Sequence, residues 1–291
     1  MSNAAPARAF NAARQTTPKT ARRIGRWPIG AWVCFAIIAV FFLVPILYLI
    51  VTALKTQAEY AANPVGMVQD PHFENFAAAW VQGKFGSQIL NTMVYTLCGA
   101  LSSTVLSVLL GFPLARGYIG HEKFWTGMLA SFLFLPNALV PQFQLLFRTG
   151  LYNTQLGYII MCAVNLGIGP MLFVGYAKSI PRELDEAAAL EGCGYWRYLL
   201  RFVLPMSRPA ILTIFILDCV WIWNDFILAQ VIFSDTSKWP IATGLNAFKG
   251  IYSTDWPLLA AATVIVALPL IALYIFIQKY LVNGVTGAVK G

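Results

Sequence analysis

The chain holds apolar runs long enough to cross a bilayer, and this limits its fold more than any other feature. No charged residue occurs from Trp27 to Leu54, and five further apolar runs lie at about 87–114, 124–147, 153–177, 209–233 and 257–278. About 20 mostly apolar residues span the ~30 Å hydrocarbon core as a helix. Inside lipid every backbone N–H and C=O needs an internal partner, so such runs become helices packed on one another. Pro113, Pro136, Pro141, Gly167, Gly169, Pro170 and Pro269 interrupt several runs, and such breaks survive where neighbouring helices cover the freed backbone groups. Only 11% of the 291 residues are charged, against about 25% in a soluble domain. The expectation is an all-α integral membrane protein of six transmembrane helices, with both termini on one side.

The basic residues orient it. Residues 1–28 contain Arg8, Arg14, Lys19, Arg22, Arg23 and Arg26 and no acid, a composition that reads as a disordered basic tail. The apolar run behind it is too long for a cleaved signal peptide and reads as a retained first span. Segments on the amino-terminal side hold fifteen basic residues (those six, Arg116, Lys123, Lys178, Arg182, Arg197, Arg201, Arg208, Lys279 and Lys290) against five acids (Glu122, Glu183, Asp185, Glu186, Glu191). The opposite side has Lys55, Lys84, Arg148, Lys238 and Lys249 against Glu59, Asp70, Glu74, Asp235 and Asp255. By the positive-inside rule both termini and the 178–208 loop face the cytoplasm. The net charge of +8 is thus spread along membrane flanks, with lipid as the partner and not nucleic acid.

That loop is unusual for its charge. Nine of the chain's 32 charged residues lie between Lys178 and Arg208. Pro181 suits the first position of a helix, where its missing N–H costs nothing. Glu183, Asp185 and Glu186 place negative charge at the positive end of the helix dipole. Ala187 to Leu190 favour helix and Gly192 supplies a stop. Ile180, Leu184, Ala187 and Ala188 share one face, predicting that this face docks. From Tyr195 the composition, with Arg197 and Arg201 four apart, suits a helix lying at the membrane surface until Pro205 breaks it.

Glu186-Ala187-Ala188, three residues, Gly192, nine residues, then Phe202-Val203-Leu204-Pro205 resembles the EAA loop of bacterial ABC importer permeases. Phe202 stands where that pattern has Ile, one bulky apolar residue for another. The resemblance covers roughly 87–280, includes Asn91-Thr92, and extends to Trp223-Asn224-Asp225-Phe226, similar to a signature of the carbohydrate-uptake, maltose-transporter type. The final Gly284 to Gly291 is similar to the tail of one permease subunit of that type, which contacts the ATPase pair. The resemblance implies a type-1 ABC transmembrane (MetI-like) fold with a cytoplasmic coupling helix, in the bacterial cytoplasmic membrane. Glu186, Ala187, Ala188, Gly192, Leu204 and Pro205 would then couple to the ATPase. The implied partners are a second permease, two ATPase subunits that use ATP and Mg, and an external substrate-binding protein. The domain boundaries expected are 1–28 (tail), 29–86 (first helix and external loop), 87–280 (permease domain) and 281–291 (cytoplasmic tail).

Two external loops, 55–86 and 234–256, are substantial. Asn246, Lys249 and Tyr252 in the second are candidates for contact with the binding protein, although both loops could simply close the outer surface. Within the fifth run, Asp218, Asn224 and Asp225 are polar at membrane depth. The two acids are seven residues apart, nearly on one face of a continuous helix, so they either line a translocation path or bond neighbouring helices. An ion-coupled secondary transporter using Asp218 and Asp225 is the alternative, but no second half mirrors the first as such carriers usually show. No phosphate-cradling G-x-x-x-x-G-K-[ST] loop occurs, His72 and His121 fall on opposite sides, and Cys34, Cys98, Cys162, Cys193 and Cys219 stand apart. No catalytic, cofactor-binding or metal-binding residues are expected in the chain, which reads as a non-enzymatic subunit.

Overall fold

The computed structural model describes residues 29–135, 138–164, 168–250 and 254–288, with side chains as far as Ile275. The basic tail, Pro136, Gly167, Tyr252 and the last three residues lie outside the described residues. The chain divides after Tyr48 into two units. The described part of the first belongs to α1 (Ile29–Ala53). As far as Tyr48 its side chains are apolar all round and mostly open, with Ile29 83% and Phe41 73% exposed, the character of a helix that lipid covers.

The second unit runs α2 (Gln57–Ala62), α3 (Glu74–Gln82), α4 (Phe85–Arg116), α5 (Glu122–Phe132), α6 (Leu139–Arg148), α7 (Gln155–Val164), α8 (Gly169–Ser179), α9 (Glu183–Leu190), α10 (Tyr195–Tyr198), α11 (Arg208–Trp223), α12 (Ile227–Ile232) and α13 (Trp256–Ala288). Among the described residues there is no strand, only an isolated bridge between Lys249 and Thr254. Helix α4 is central and packs against α7, α8 and α11. Its buried side is built from Thr92, Thr96, Gly99, Ser103, Ser107 and Gly111, at steps of three and four that keep one face. Lipid tails are as apolar as leucine, so helices gain by close van der Waals approach, which small residues allow. A Cβ on Gly99 would come within 2.9 Å of Cys162 and Ile222, and one on Gly111 within 3.0 Å of the Phe173 ring.

Three of the expected spans are single helices long and apolar enough to cross a membrane: Ile29–Ala53, Phe85–Arg116 and Trp256–Ile275. The other three are divided. The run at 124–147 becomes α5 and α6. Leu135 precedes a proline, which disfavours the α region there. The run at 153–177 becomes α7 and α8, inclined by 44°. The run at 209–233 stops at Trp223 and resumes at Ile227.

Both long loops gather at the amino-terminal end of α4. Asn91 donates to the carbonyls of Ser237 and Trp239 at 2.7 and 3.2 Å, and Thr92 Oγ1 accepts from the Ile241 N–H at 2.7 Å. Lys55 is fully buried and donates to the carbonyls of Asn63 (2.9 Å) and Pro64 (3.3 Å). Gln57 and Gln82 reach the carbonyls of Thr254 and Ala247 at 3.3 and 3.2 Å, and Phe85 stacks on Phe248. The two loops therefore form one interlocked cap. The 32 residues of α4 rise about 48 Å from this cap to the opposite end, where the 178–208 loop sits.

Candidate functional site

The motif loop is fastened to the last residue of α4. Arg116 is 7% exposed, and its Nη1 donates to the Ile180 carbonyl at 2.9 Å. Its Nε lies 2.9 Å from Asp185 Oδ2, a charge contact along which the N–H is not directed. The Tyr198 hydroxyl donates to the other oxygen of Asp185. Phe112 lies against Tyr118, Tyr195 and Tyr198 with ring centres 5.8, 5.7 and 6.1 Å away. Burial, then the hydrogen bond to Asp185, pushes the Tyr198 hydroxyl up to about 12, so it remains a proton donor at neutral pH.

Helix α9 is eight residues long, and Pro181 precedes it instead of occupying its first position. The Leu184 N–H bonds to the Pro181 carbonyl at 3.4 Å, a tighter entry turn. Its docked face also differs from expectation. Ile180 and Ala188 join the core, but Leu184 is 40% exposed and Ala187 is exposed. Asp185 takes the inward place because Arg116 waits there. At the other end Gly192 has φ +67°, with its N–H on the Ala189 carbonyl (3.0 Å) and the Cys193 N–H on that of Ala188 (2.8 Å). These two bonds make a Schellman cap. A Cβ on Gly192 would meet nothing within 4 Å, so backbone conformation alone requires glycine there.

Beyond α10 the chain forms a π turn at Leu199–Val203, a last turn at Leu204–Met206, and bends by 78° into α11. Pro205 does not break the helix as expected. The wider π turn just before it relieves the clash a proline ring makes with the carbonyl four residues back. The break falls at Ser207 instead. Leu204 packs on the core while Pro205 is exposed. Outward from α9 stand Glu186, Ala187 and Leu190, the last 90% exposed. Between α9 and residues 197–202 lies a cleft of about 350 Å³, floored by Ala188, Cys193 and Phe202 and rimmed by Glu191, Arg197 and Arg201.

The two membrane-depth acids separate. Helix α11 ends at Trp223, so Asp225 does not continue the face of Asp218. Asp225 sits just ahead of α12, where its carboxylate accepts from the Leu228 and Ala229 N–H groups (3.2 and 3.1 Å) and from the Tyr158 hydroxyl (2.7 Å). Of the two readings the inter-helix bond fits Asp225, whose oxygens are engaged within the bundle. Asn224 donates to the Val220 carbonyl of its own helix at 2.8 Å. Asp218 is half-buried beside Ser103 of α4, and its Oδ2 has no hydrogen-bond partner among the described residues. At the far end, Asn246 lines a cleft of about 250 Å³ with Gln82, Lys84, Gln88 and Trp239. Lys249 lies over the Phe226 ring at 5.8 Å, and Tyr252 is outside the described residues. Among those residues no group of His, Cys, Asp and Glu could hold a metal ion.

Residues 32–287 match the family of binding-protein-dependent transport system inner membrane components. The chain belongs to that family. The permease is 31% identical over 261 residues to the melibiose/raffinose/stachyose import permease protein MelC of Bacillus subtilis (strain 168), covering 88% of this chain and 94% of that one. It is 28% identical to the diacetylchitobiose uptake system permease protein NgcG of Streptomyces coelicolor (strain ATCC BAA-471 / A3(2) / M145), over 85% of this chain and 84% of that one. Its fold is that of a chain in a bacterial ABC transporter involved in the import of the acidic polysaccharide alginate, with a TM-score of 0.75, 23% identity, and coverage of 87% and 95% of the two chains.

Three residues that matter to this geometry escaped the reading of the permease's sequence: Arg116, Tyr198 and Tyr158. Arg116 counted only as a flanking charge. Its signal was a lone arginine closing a long apolar helix ahead of a glycine, facing a loop rich in acids. Tyr158 carried no signal, since its partner Asp225 is 67 residues away.

Proposed function

We propose that this permease is one transmembrane subunit of an ATP-driven importer for a sugar or oligosaccharide. It would pair with a second, similar permease, two ATPase subunits that consume MgATP, and an external binding protein that delivers the solute. The termini and the 178–208 loop would lie in the cytoplasm, and the cap of residues 55–86 and 234–256 outside. The observation that carries the reading is the build of α9. Its inner side is rooted in the bundle through Asp185 and Ala188, while Glu186, Ala187 and the 90%-exposed Leu190 stand free where a partner can reach them. Closure of the ATPases would move α9 and tilt the bundle between inward- and outward-facing states, a rigid-body alternation. The sugar class is supported by the saccharides named for the two relatives. Ion coupling through both acids is disfavoured because the Asp225 carboxylate is already engaged.

Uptake by the complex reconstituted in proteoliposomes tests this. Transport is expected to require internal ATP and to survive collapse of the proton gradient, and the co-purifying binding protein is expected to carry a saccharide. The variant Gly192→Leu is expected to assemble but to lose the ATPase response to the loaded binding protein. Uptake driven by a proton gradient without ATP would overturn the importer reading.

A further inference from the structure

We infer that Arg116 is the positioning residue through which movement of α9 enters the transmembrane bundle, by its joint hold on Asp185 and on the Ile180 carbonyl. This rests on the coupling reading above and names the point where the force passes.

Arg116 is the terminal residue of α4, the helix packed at once on α7, α8 and α11. A displacement of its end is therefore felt by most of the bundle. The hold has two points, Asp185 in the first turn of α9 and Ile180 in the strand of chain that enters it. Arg116 meets these two points through different nitrogens, a charge contact to Asp185 and a hydrogen bond to the Ile180 carbonyl, and this sets orientation as well as distance, which a single apolar contact does not. The link is also largely sheltered from water. The Arg116 side chain is 2% exposed and that of Asp185 17%, with Tyr198 on the second carboxylate oxygen and Phe112 alongside. Such a sheltered pair is screened by salt much less than a surface one, and removing one member leaves the other charge uncompensated. Mere attachment did not need it: a buried ion pair is often no more stabilising than apolar side chains of the same volume. Leu184, one residue before Asp185, offered such a side chain, yet it is the exposed one. A charged link at this place resists the sliding and rotation that an apolar face tolerates.

The test uses the assembled importer in nanodiscs with its loaded binding protein, and the variants Arg116→Gln, Asp185→Asn, their double and Arg116→Lys. Three quantities are read: assembled complex, maximal stimulated ATP hydrolysis, and the binding-protein concentration giving half of it. Each single variant is expected to lower the maximal stimulated rate by about ten-fold, with the double no lower than the worse single, because both remove one interaction. The half-saturating concentration should stay within about two-fold, a split that a general loosening of the fold would not produce. Arg116→Lys keeps the charge but has one nitrogen where the guanidinium meets Asp185 and Ile180 with two, and an intermediate loss is expected. Multiplying losses in the double, or an effect confined to the half-saturating concentration, would overturn the assignment. Should Arg116→Gln fail to assemble, Asp185→Asn and Arg116→Lys decide, and full stimulation in both refutes it. Gly192→Leu separates the two levels. If it couples normally, the coupling reading itself fails; if it alone uncouples, only the role of Arg116 does.

Discussion

Gly192 and Asp225 show how a single residue's role turns on what surrounds it. Gly192 has open space where a Cβ would go, so size is not its constraint. Its φ of +67° is, since an L residue pays roughly 1–2 kcal/mol there and asparagine less than most. Gly192→Asn is therefore expected to keep most of the stimulated ATP hydrolysis, while Gly192→Val loses it at normal abundance. Equal loss in both variants would point to a contact with the partner instead of backbone strain. For Asp225 the three bonds within the bundle favour the second of the two roles its sequence position allows, a link between neighbouring segments. Asp225→Ala strips two N–H groups and a tyrosine hydroxyl of their acceptor, at roughly 1–3 kcal/mol. We expect a lower melting temperature in detergent and less folded protein, with uptake per folded molecule preserved. Tyr158→Phe should do less, since polar links between membrane helices average about 0.6 kcal/mol.

Helix α4 carries the element-scale logic. Its small residues let α7, α8 and α11 come close, and at Gly99 both α7 and α11 crowd its backbone. Gly99→Val would push a branched side chain into Cys162 and Ile222, which already lie 2.9 Å from where the Cβ would sit. Overpacking of this kind costs roughly 1–3 kcal/mol, and a fall in thermal stability with loss of assembled complex is the expected result. In the cap, the exposed His72 ring is bonded to the Glu74 carboxylate, which raises its pKa above the ordinary 6.5 and lowers that of Glu74. The charged pair supports the start of α3 between the ordinary carboxylate and histidine values, and that support fades as pH rises through the raised histidine value or falls through the lowered Glu74 one. Glu74→Gln should bring the His72 titration midpoint, followed by NMR, back down toward the ordinary value. No change on that substitution would mean the pair does not form in solution.

On the scale of the whole molecule, the length of α4 sets a cap of interlocked loops at one end and the motif loop at the other. Val65, 82% exposed in the cap, and Leu190, 90% exposed on the motif loop, should therefore lie on opposite sides of the membrane. Single cysteines at these positions, in a background without the native five, are expected to react from outside at 65 and only from the cytoplasm at 190. Reaction of both from outside would overturn the topology and remove the loop from reach of any ATPase.

Much of this was legible in the chain alone. The apolar runs determined the class, because lipid leaves the backbone no partner but itself, and the spacing from Glu186 to Pro205 determined where the motif loop lies. The left-handed turn at Gly192 followed from local rules as well. Tertiary structure decided which face of α9 turns inward, because the choice between Leu184 and Asp185 depends on Arg116, 69 positions earlier and unrelated by any periodicity. It also decided that the fifth run breaks before Asp225 and that two distant loops make one cap. Local pattern encodes what a segment can satisfy within itself; a buried charge must find its partner elsewhere in the chain, and only folding brings the two together.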